Sequence, residues 1–293
     1  MDSVGLLDGL GCDNRTAPCR ADDKAPTLPR YARLPINRCN LPAVILGSLC
    51  FQRHPAPLQL DGVEVLHRDL FRRLDAHAEP ARRAEVFRDY MTVRFRLEHL
   101  DEAGLDDPAR GRAKANYMRL LRGWSFAADG REGAVLKGWV ESRFGLLPRY
   151  HGGPLRAGED DAYQRYLEMR AQGLYGTNAL EAQLDLVYAY CQYEFARQQP
   201  RRRHLTLYRG TNRLDAYERL ADGPAGETVL LLNNVNSFSG SRERAGEFGD
   251  YILTLAVPVA KVLCHAGLLP GILQGEAEFV VLGGVYAAQV ATW

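Results

Sequence analysis

The hydrophobic pattern of this chain changes at Pro200, and that change constrains the fold more than any other feature. From about residue 63 to residue 199, apolar residues recur at helical spacing. After Pro200 they form short β-rich runs separated by Gly, Pro and Asn, at 205–208, 228–232, 252–257, 259–264, 278–282 and 285–292. Helices that precede strands, without βαβ alternation, predict an α+β fold and argue against a doubly wound sheet.

Two helices of the first region show their apolar faces in the sequence. The longest predicted helix spans 178–198, with Asn178 as its N-cap and Pro200 beyond its end. Its predicted buried stripe is Leu180, Leu184, Val187, Cys191 and Phe195. An earlier helix begins near Pro80, with Val86, Tyr90, Val93 and Leu97 at helical spacing. We therefore divide the chain into a flexible extension (1–30), a mainly helical region (31–203) and a β-rich core (204–293).

Composition excludes several classes of function. The chain has 293 residues and a net charge of +1, so it lacks the overall positive field that holds nucleic acid. No stretch contains the roughly 18–20 consecutive apolar residues that span a bilayer, and the first residues do not resemble a secretory signal. The six cysteines and seven histidines lack the spacing of metal ligands. The expectation is a cytoplasmic protein with no membrane span, no nucleic-acid partner and no metal.

The tripeptide Glu276-Ala277-Glu278 is the strongest indication of a functional site. Alternate side chains share one face of an extended strand, so the motif predicts two carboxylates roughly 6.5–7 Å apart. A lone Glu-x-Glu motif is common on exposed strands and is then only structural. Two further motifs lie upstream: Arg209 at a predicted strand end, and Ser237 and Ser239 in a predicted hydroxyl-rich turn. Together the three motifs favour a site.

An arginine, a serine motif and a Glu-x-Glu strand, in this order, resemble the ADP-ribosyltransferases, which bind NAD without a Rossmann loop. The chain has no G-x-G-x-x-G or G-x-x-x-x-G-K-[ST] motif, so a nucleotide must be held in another way. Cleavage between nicotinamide and ribose develops positive charge on the sugar, which a carboxylate stabilises. Glu278 is the candidate for that role. Glu276 is the candidate for orienting an acceptor arginine and taking its proton.

The remaining candidates would bind NAD. Arg209 suits the pyrophosphate, and the backbone of Gly210 suits the nicotinamide amide. Ser237 and Ser239 are expected to hold a glutamate, and Phe248 to stack on the nicotinamide. Taken singly, each residue has an ordinary alternative: an ion pair for the arginine, a turn or helix cap for the serines, and core packing for the phenylalanine.

Longer segments resemble one family, the NAD-dependent dinitrogenase reductase ADP-ribosyltransferases, over roughly 35–293. The segments are NRCNLP (37–42), FQ (51–52), GWVESRFGL (138–146), TNALEAQLD (177–185), LYRGTN (207–212), NSFS (236–239) and GEAEF (275–279). The resemblance implies a split β-sandwich core under a helical half that recognises partners and forms part of the NAD cleft. It also implies reversible transfer of ADP-ribose from NAD to an arginine of dinitrogenase reductase, the iron protein of nitrogenase, under control of a PII-type nitrogen-signalling protein.

Two other functions stay open. The chain could be an NAD glycohydrolase or a toxin-like transferase with another target, although a toxin more often carries an export signal. It could also be a non-catalytic module that binds NAD or a PII protein, although such a module would be expected to lose Glu278. Leu268 and Leu269, in the apolar loop 266–274, are expected either to touch the protein substrate or to pack in the core.

Overall fold

The computed structural model describes residues 26–98, 115–155, 161–271, 273 and 277–292. Ten α-helices and six strands lie in these ranges, and nine of the α-helices precede the first strand, in the order that the sequence predicts. The helices are α1 (Ala43–Leu46), α2 (Leu49–Arg53), α3 (Val63–Leu66), α4 (Arg68–Asp75), α5 (Pro80–Arg94), α6 (Tyr117–Phe126), α7 (Arg131–Phe144), α8 (Asp161–Leu174), α9 (Leu180–Gln198) and α10 (Arg242–Gly246). The strands are β1 (His204–Thr211), β2 (Glu218–Asp222), β3 (Glu227–Ser239), β4 (Tyr251–Pro258), β5 (Val262–His265) and β6 (Glu278–Thr292).

The six strands form one antiparallel sheet in the order β2-β3-β1-β4-β6-β5. Strand β6 pairs with β3 along one edge, and with β5 and β4 at the two ends of its other edge. Strand β1 runs along β4 but meets β3 at one residue pair, Tyr208 with Ser239. Strand pairing therefore forms a closed ring of β3, β1, β4 and β6. Strands β1 and β3 separate from each other at Ser239.

Helices and sheet share a large hydrophobic core, which includes residues from Leu28 to Ala288. Buried amides tie the two regions together. The side chain of Gln52 on α2 donates to the carbonyls of Ala256 and Ala287 on two strands. The side chain of Gln192 on α9 donates to the Val262 carbonyl at 2.8 Å. The helical region and the β-rich region are thus one packed unit, with a change of secondary structure between them.

Helix α6 is important for the site because its last turn reaches the sheet. It begins after Asn116, whose side chain accepts a hydrogen bond from the Arg119 amide at 3.1 Å. Its buried residues are Tyr117, Leu120, Leu121 and Trp124. This spacing fixes one face of the helix in the core and brings the last turn, with Ser125, towards the end of β3.

Two predictions about helices are wrong in detail. Asn178 does not cap α9: its side-chain amide donates to the Phe95 carbonyl at 2.6 Å, and Ala179, with φ of 48°, precedes the first turn. The predicted apolar face near α5 is wrong at Val93, which is 78% exposed, while Val86, Tyr90 and Leu97 are partly buried against the core. The residues that α5 buries are Arg83, Ala84, Phe87 and Met91. The predicted stripe of α9 is confirmed, since all five residues are buried.

In the described ranges, no helix has both the length and the apolar character needed to cross a membrane. Nor do they contain a group of three or more His, Cys, Asp or Glu residues able to hold a metal ion.

Candidate active site

Glu278 is the first residue of β6, and its carboxylate is held by two hydroxyl groups. The residue is 4% exposed. The hydroxyl of Ser237 donates to Oε1 at 2.6 Å, and the hydroxyl of Ser125 donates to Oε2 at 2.8 Å. Burying a carboxylate costs free energy unless hydrogen bonds replace its water. These two donors compensate part of that cost and fix the direction of both oxygens.

The two predicted serines lie on a strand and not in a turn, which corrects the sequence interpretation. Ser237 and Ser239 are alternate residues at the end of β3, so they share a face, while Phe238 between them is 2% exposed. Ser239 lies opposite Glu278 in the β3–β6 register. Its hydroxyl accepts a hydrogen bond from the Ser241 amide at 3.1 Å, just before α10. The structure thus brings Ser237 to the carboxylate and places Ser239 beside it.

Arg209 lies on β1, next to the point where β1 and β3 separate. Its Nε donates to the Tyr217 hydroxyl at 2.8 Å, and its Nη1 donates to the Ser237 carbonyl at 2.7 Å. Among the described residues, no carboxylate lies within ion-pair distance of this guanidinium. The backbone of Ser237 therefore contacts the arginine, while its side chain contacts Glu278.

Two contacts from α6 were missed by sequence reasoning. The indole Nε1 of Trp124 donates to the Ser237 hydroxyl at 2.9 Å, and Ser125 reaches Glu278 directly. Trp124 is buried, at 2% exposure. A serine in the last turn of a helix carries no local signal for a partner 153 residues away.

A buried lysine lies behind the indole. Lys137 Nζ is 5.9 Å from the centroid of the Trp124 ring, and donates to Asp129 Oδ1 at 2.8 Å. Burial lowers the pKa of this lysine, while Asp129 acts in the opposite direction. Burial, together with the charge of Lys137, lowers the pKa of His151 to about 4. Neutral His151 can then accept a hydrogen bond from Lys137 at Nδ1, 3.1 Å away.

The acceptor-directing candidate, Glu276, lies outside the described residues. The strand begins at Glu278, and Ala277 before it has φ of 47°. That left-handed conformation interrupts the extended geometry from which the shared face of the two glutamates was predicted. The strand geometry therefore supports no predicted distance between the carboxylates of Glu276 and Glu278.

The other candidates take different positions. A Cβ on Gly210 would lie 1.9 Å from the Ala245 carbonyl oxygen, so close packing of α10 requires a glycine there. Phe248, just after α10, is 54% exposed. Leu268 and Leu269 are 5% and 1% exposed. The expectation that these two leucines touch a protein substrate is therefore wrong, and the core-packing alternative is correct.

A separate groove of about 820 Å³ is lined by residues 55–59 and by parts of α3, α4 and α9. None of the predicted site residues lines it. We place the site at Glu278 because polar groups from three elements converge there.

Comparison with known proteins identifies the family of the chain. The profile of the dinitrogenase reductase ADP-ribosyltransferase (DRAT) family matches residues 36–290. The chain belongs to this family. A Rhodospirillum rubrum protein named NAD(+)--dinitrogen-reductase ADP-D-ribosyltransferase is 36% identical over 259 residues, covering 87% of this chain and 94% of the relative. No solved structure matches the chain. Arg209, Ser237 and Glu278 all lie within the segment that matches the DRAT family.

Proposed function

We propose that this protein transfers ADP-ribose from NAD to an arginine of dinitrogenase reductase, and so switches nitrogenase off reversibly as nitrogen and energy status change. DRAT membership and the name of the R. rubrum relative support NAD as the donor and dinitrogenase reductase as the acceptor. One structural observation carries the chemistry: Ser237 contacts both a buried Glu278 carboxylate, which two hydroxyls fix, and an Arg209 guanidinium without a described acidic partner.

Glu278 acts on the bond between nicotinamide and ribose. As that bond breaks, its electron pair leaves with the nicotinamide nitrogen, and positive charge develops on the sugar. A carboxylate already oriented beside the ribose stabilises this charge more than it stabilises bound NAD, and that difference is what accelerates cleavage. An acceptor nitrogen of the target arginine then attacks the sugar carbon and loses one proton.

The other residues bind NAD or direct its acceptor. The Arg209 guanidinium contacts the pyrophosphate, and Gly210 and Phe248 contact the nicotinamide. Glu276 orients the target guanidinium and takes its proton, since an arginine with its full charge is a poor nucleophile. Replacing Glu276 with Gln should therefore abolish transfer while NAD hydrolysis continues. Equal loss of both activities would contradict this role.

The architecture in this proposal is a split β-sandwich core with a helical half that binds the protein partner and forms a wall of the NAD cleft. The separation of β1 and β3 after one residue pair supports the split β-sandwich core. Contacts from α6 to Ser237 and Glu278 support a helical wall of the NAD cleft. A cytoplasmic location, expected from the sequence, and control by a PII-type protein, implied by the family resemblance, complete the proposal.

The decisive experiment incubates labelled NAD with purified dinitrogenase reductase and one of three proteins: wild type, Glu278→Gln, or Glu247→Gln. Glu247 is a suitable control because its carboxylate is exposed and pairs with Arg244 at 3.1 Å. We expect label on dinitrogenase reductase with wild type and control, and a loss of at least about 100-fold with Glu278→Gln.

The same assay separates the alternatives. Nicotinamide release without labelled protein would indicate a glycohydrolase, and label on a different protein would indicate another target. NAD binding without nicotinamide release would indicate a binding module. Undiminished labelling by Glu278→Gln would contradict the proposed chemistry.

A further inference from the structure

Helix α6 contributes two side chains to the environment of Glu278, although it belongs to the helical region and not to the β-rich core. Resting on the function proposed above, we propose that Ser125 and Trp124 are positioning residues for NAD cleavage. Ser125 fixes Oε2 of Glu278, and Trp124 fixes the hydroxyl of Ser237 that holds Oε1. The helical region thereby sets the rate of bond cleavage in addition to forming a binding surface.

The hydrogen-bond directions can be assigned from donor counts. An indole N–H only donates, so Trp124 occupies an acceptor position on the Ser237 oxygen. The single proton of that hydroxyl is then free to point at Glu278 Oε1, 2.6 Å away. Replacing the indole with a group that cannot donate would let the hydroxyl rotate. Trp124 thus fixes the orientation of the Ser237 hydroxyl.

Ser125 has two possible acceptors, and the distances decide between them. Its Oγ is 3.4 Å from the Leu121 carbonyl of its own helix and 2.8 Å from Glu278 Oε2. A hydroxyl has one proton, and an O–H···O hydrogen bond is strongest near 2.7–2.8 Å, so the carboxylate is the partner. The contact is therefore more than the back-bonding usual for a helical serine.

Neither contact blocks the substrate. Two carboxylate oxygens offer about four acceptor positions, and the two serines occupy one on each oxygen. A ribose hydroxyl can bind a remaining position while both serines stay in place. Fixing both oxygens removes rotation of the carboxylate, and this preorganisation lowers the barrier to cleavage without adding affinity for bound NAD.

Steady-state kinetics of nicotinamide release tests the assignment with Ser125→Ala, Ser125→Thr, Trp124→Phe and the control Ser142→Ala. Ser142 lies on α7, and its hydroxyl donates to the Trp139 carbonyl of the same helix at 3.3 Å and accepts from Arg143 Nη1 at 2.7 Å. We expect kcat to fall about 10-fold in Ser125→Ala, the effect of losing one hydrogen bond to a charged group. A similar fall is expected in Trp124→Phe, because it frees the Ser237 hydroxyl that holds the same carboxylate. KM for NAD should change less than about 3-fold, and Ser125→Thr should recover most of the kcat.

Several results would overturn the assignment. One is a Ser125→Ala enzyme with the kcat of the wild type. Another is a fall in kcat that is matched by a fall in thermal midpoint and is not recovered by threonine, which would indicate a purely structural role. A wild type that releases no nicotinamide would instead overturn the proposed function itself, and with it this assignment.

Discussion

At the residue scale, the described partners of Glu278 are hydroxyl groups and not a cation. Arg209 donates to the carbonyl of Ser237, whose hydroxyl donates to Glu278, so the two charged groups share a partner and do not form an ion pair with each other. A direct ion pair would neutralise both groups and leave neither free for a ligand. In the proposed function, the carboxylate is then available to the ribose and the guanidinium to the pyrophosphate.

Arg209→Met tests the second of these roles. Loss of a charge-assisted contact to phosphate should raise the dissociation constant for NAD by at least about 10-fold, with a smaller effect on kcat. Calorimetric titration with NAD measures the affinity. Arg219→Met is the matched control, because Arg219 is exposed and pairs with Asp222. Unchanged NAD affinity in Arg209→Met would show that this arginine has only a structural role.

Phe126 is the residue beside the site that best suits contact with a protein substrate. It follows Ser125 and is 86% exposed. We expect Phe126→Glu to weaken labelling of dinitrogenase reductase more than NAD hydrolysis, since a buried charge at an interface is costly. Tyr175→Glu is the control, as an aromatic residue 64% exposed after α8. Equal reduction of both activities by Phe126→Glu would count against an interface there.

At the element scale, a buried ion pair joins α5 to α9. Arg83 and Glu194 are 2% and 3% exposed. The guanidinium donates from Nε and Nη2 to the two carboxylate oxygens, at 2.6 and 2.7 Å. Burial opposes ionisation of the glutamate, but hydrogen bonds from Arg83 and Gln198 lower its pKa below the usual value. The pair thus fixes how the two helices pack.

Glu194→Gln should destabilise the protein by about 3–5 kcal/mol, because it leaves a buried guanidinium without its counter-charge. Glu85→Gln, which disrupts the exposed pair with Arg82, should cost at most about 1 kcal/mol. Chemical denaturation of both variants measures the free energy of unfolding. Similar losses in the two variants would contradict the importance assigned to the buried pair.

The same elements show how far the sequence could predict the fold. The stripe of α9 was predictable because its buried residues Leu180, Leu184, Val187, Cys191 and Phe195 are apolar and evenly spaced. The face of α5 was predictable only in part, since Arg83 occupies a core position that apolar periodicity does not reveal. Strand β2 was also missed, because its sequence, ERLAD, is charged and largely exposed at the sheet edge.

The candidate site was predictable only in part. Arg209, Ser237 and Glu278 could be selected because their order along the chain matches a pattern already known. Ser125 and Trp124 could not, because their roles depend on where α6 packs, and that is set by contacts distant in sequence. Tertiary packing, more than local propensity, decides which polar groups of a helix reach a site.

At the scale of the whole molecule, one buried lysine lies where the helices meet the sheet. Lys261 is fully buried, and its Nζ donates to the Gly283 carbonyl at 3.0 Å. The same nitrogen is 4.4 Å from the centroid of the Tyr286 ring. Burial lowers the pKa of Lys261 to about 7. Folding therefore favours the neutral amine over a wide range of pH.

Lys261→Met should stabilise the protein most at or below about pH 7. In the wild type the unfolded chain binds this proton more tightly, so the cost of burying the amine falls as pH rises from about 7 towards 10.5. The difference in thermal midpoint between variant and wild type should shrink over that range. Scanning calorimetry at several pH values measures it, and a difference independent of pH would contradict the assignment.

The central claim is that Glu278 drives cleavage of NAD in a cleft where other residues supply the binding. Its most direct test is nicotinamide release at saturating NAD by Glu278→Gln, with the dissociation constant of NAD measured on the same protein. We predict that kcat falls at least about 100-fold while the dissociation constant stays within about 3-fold of the wild type. A kcat close to that of the wild type, or a loss of activity explained entirely by lost binding, would contradict the claim.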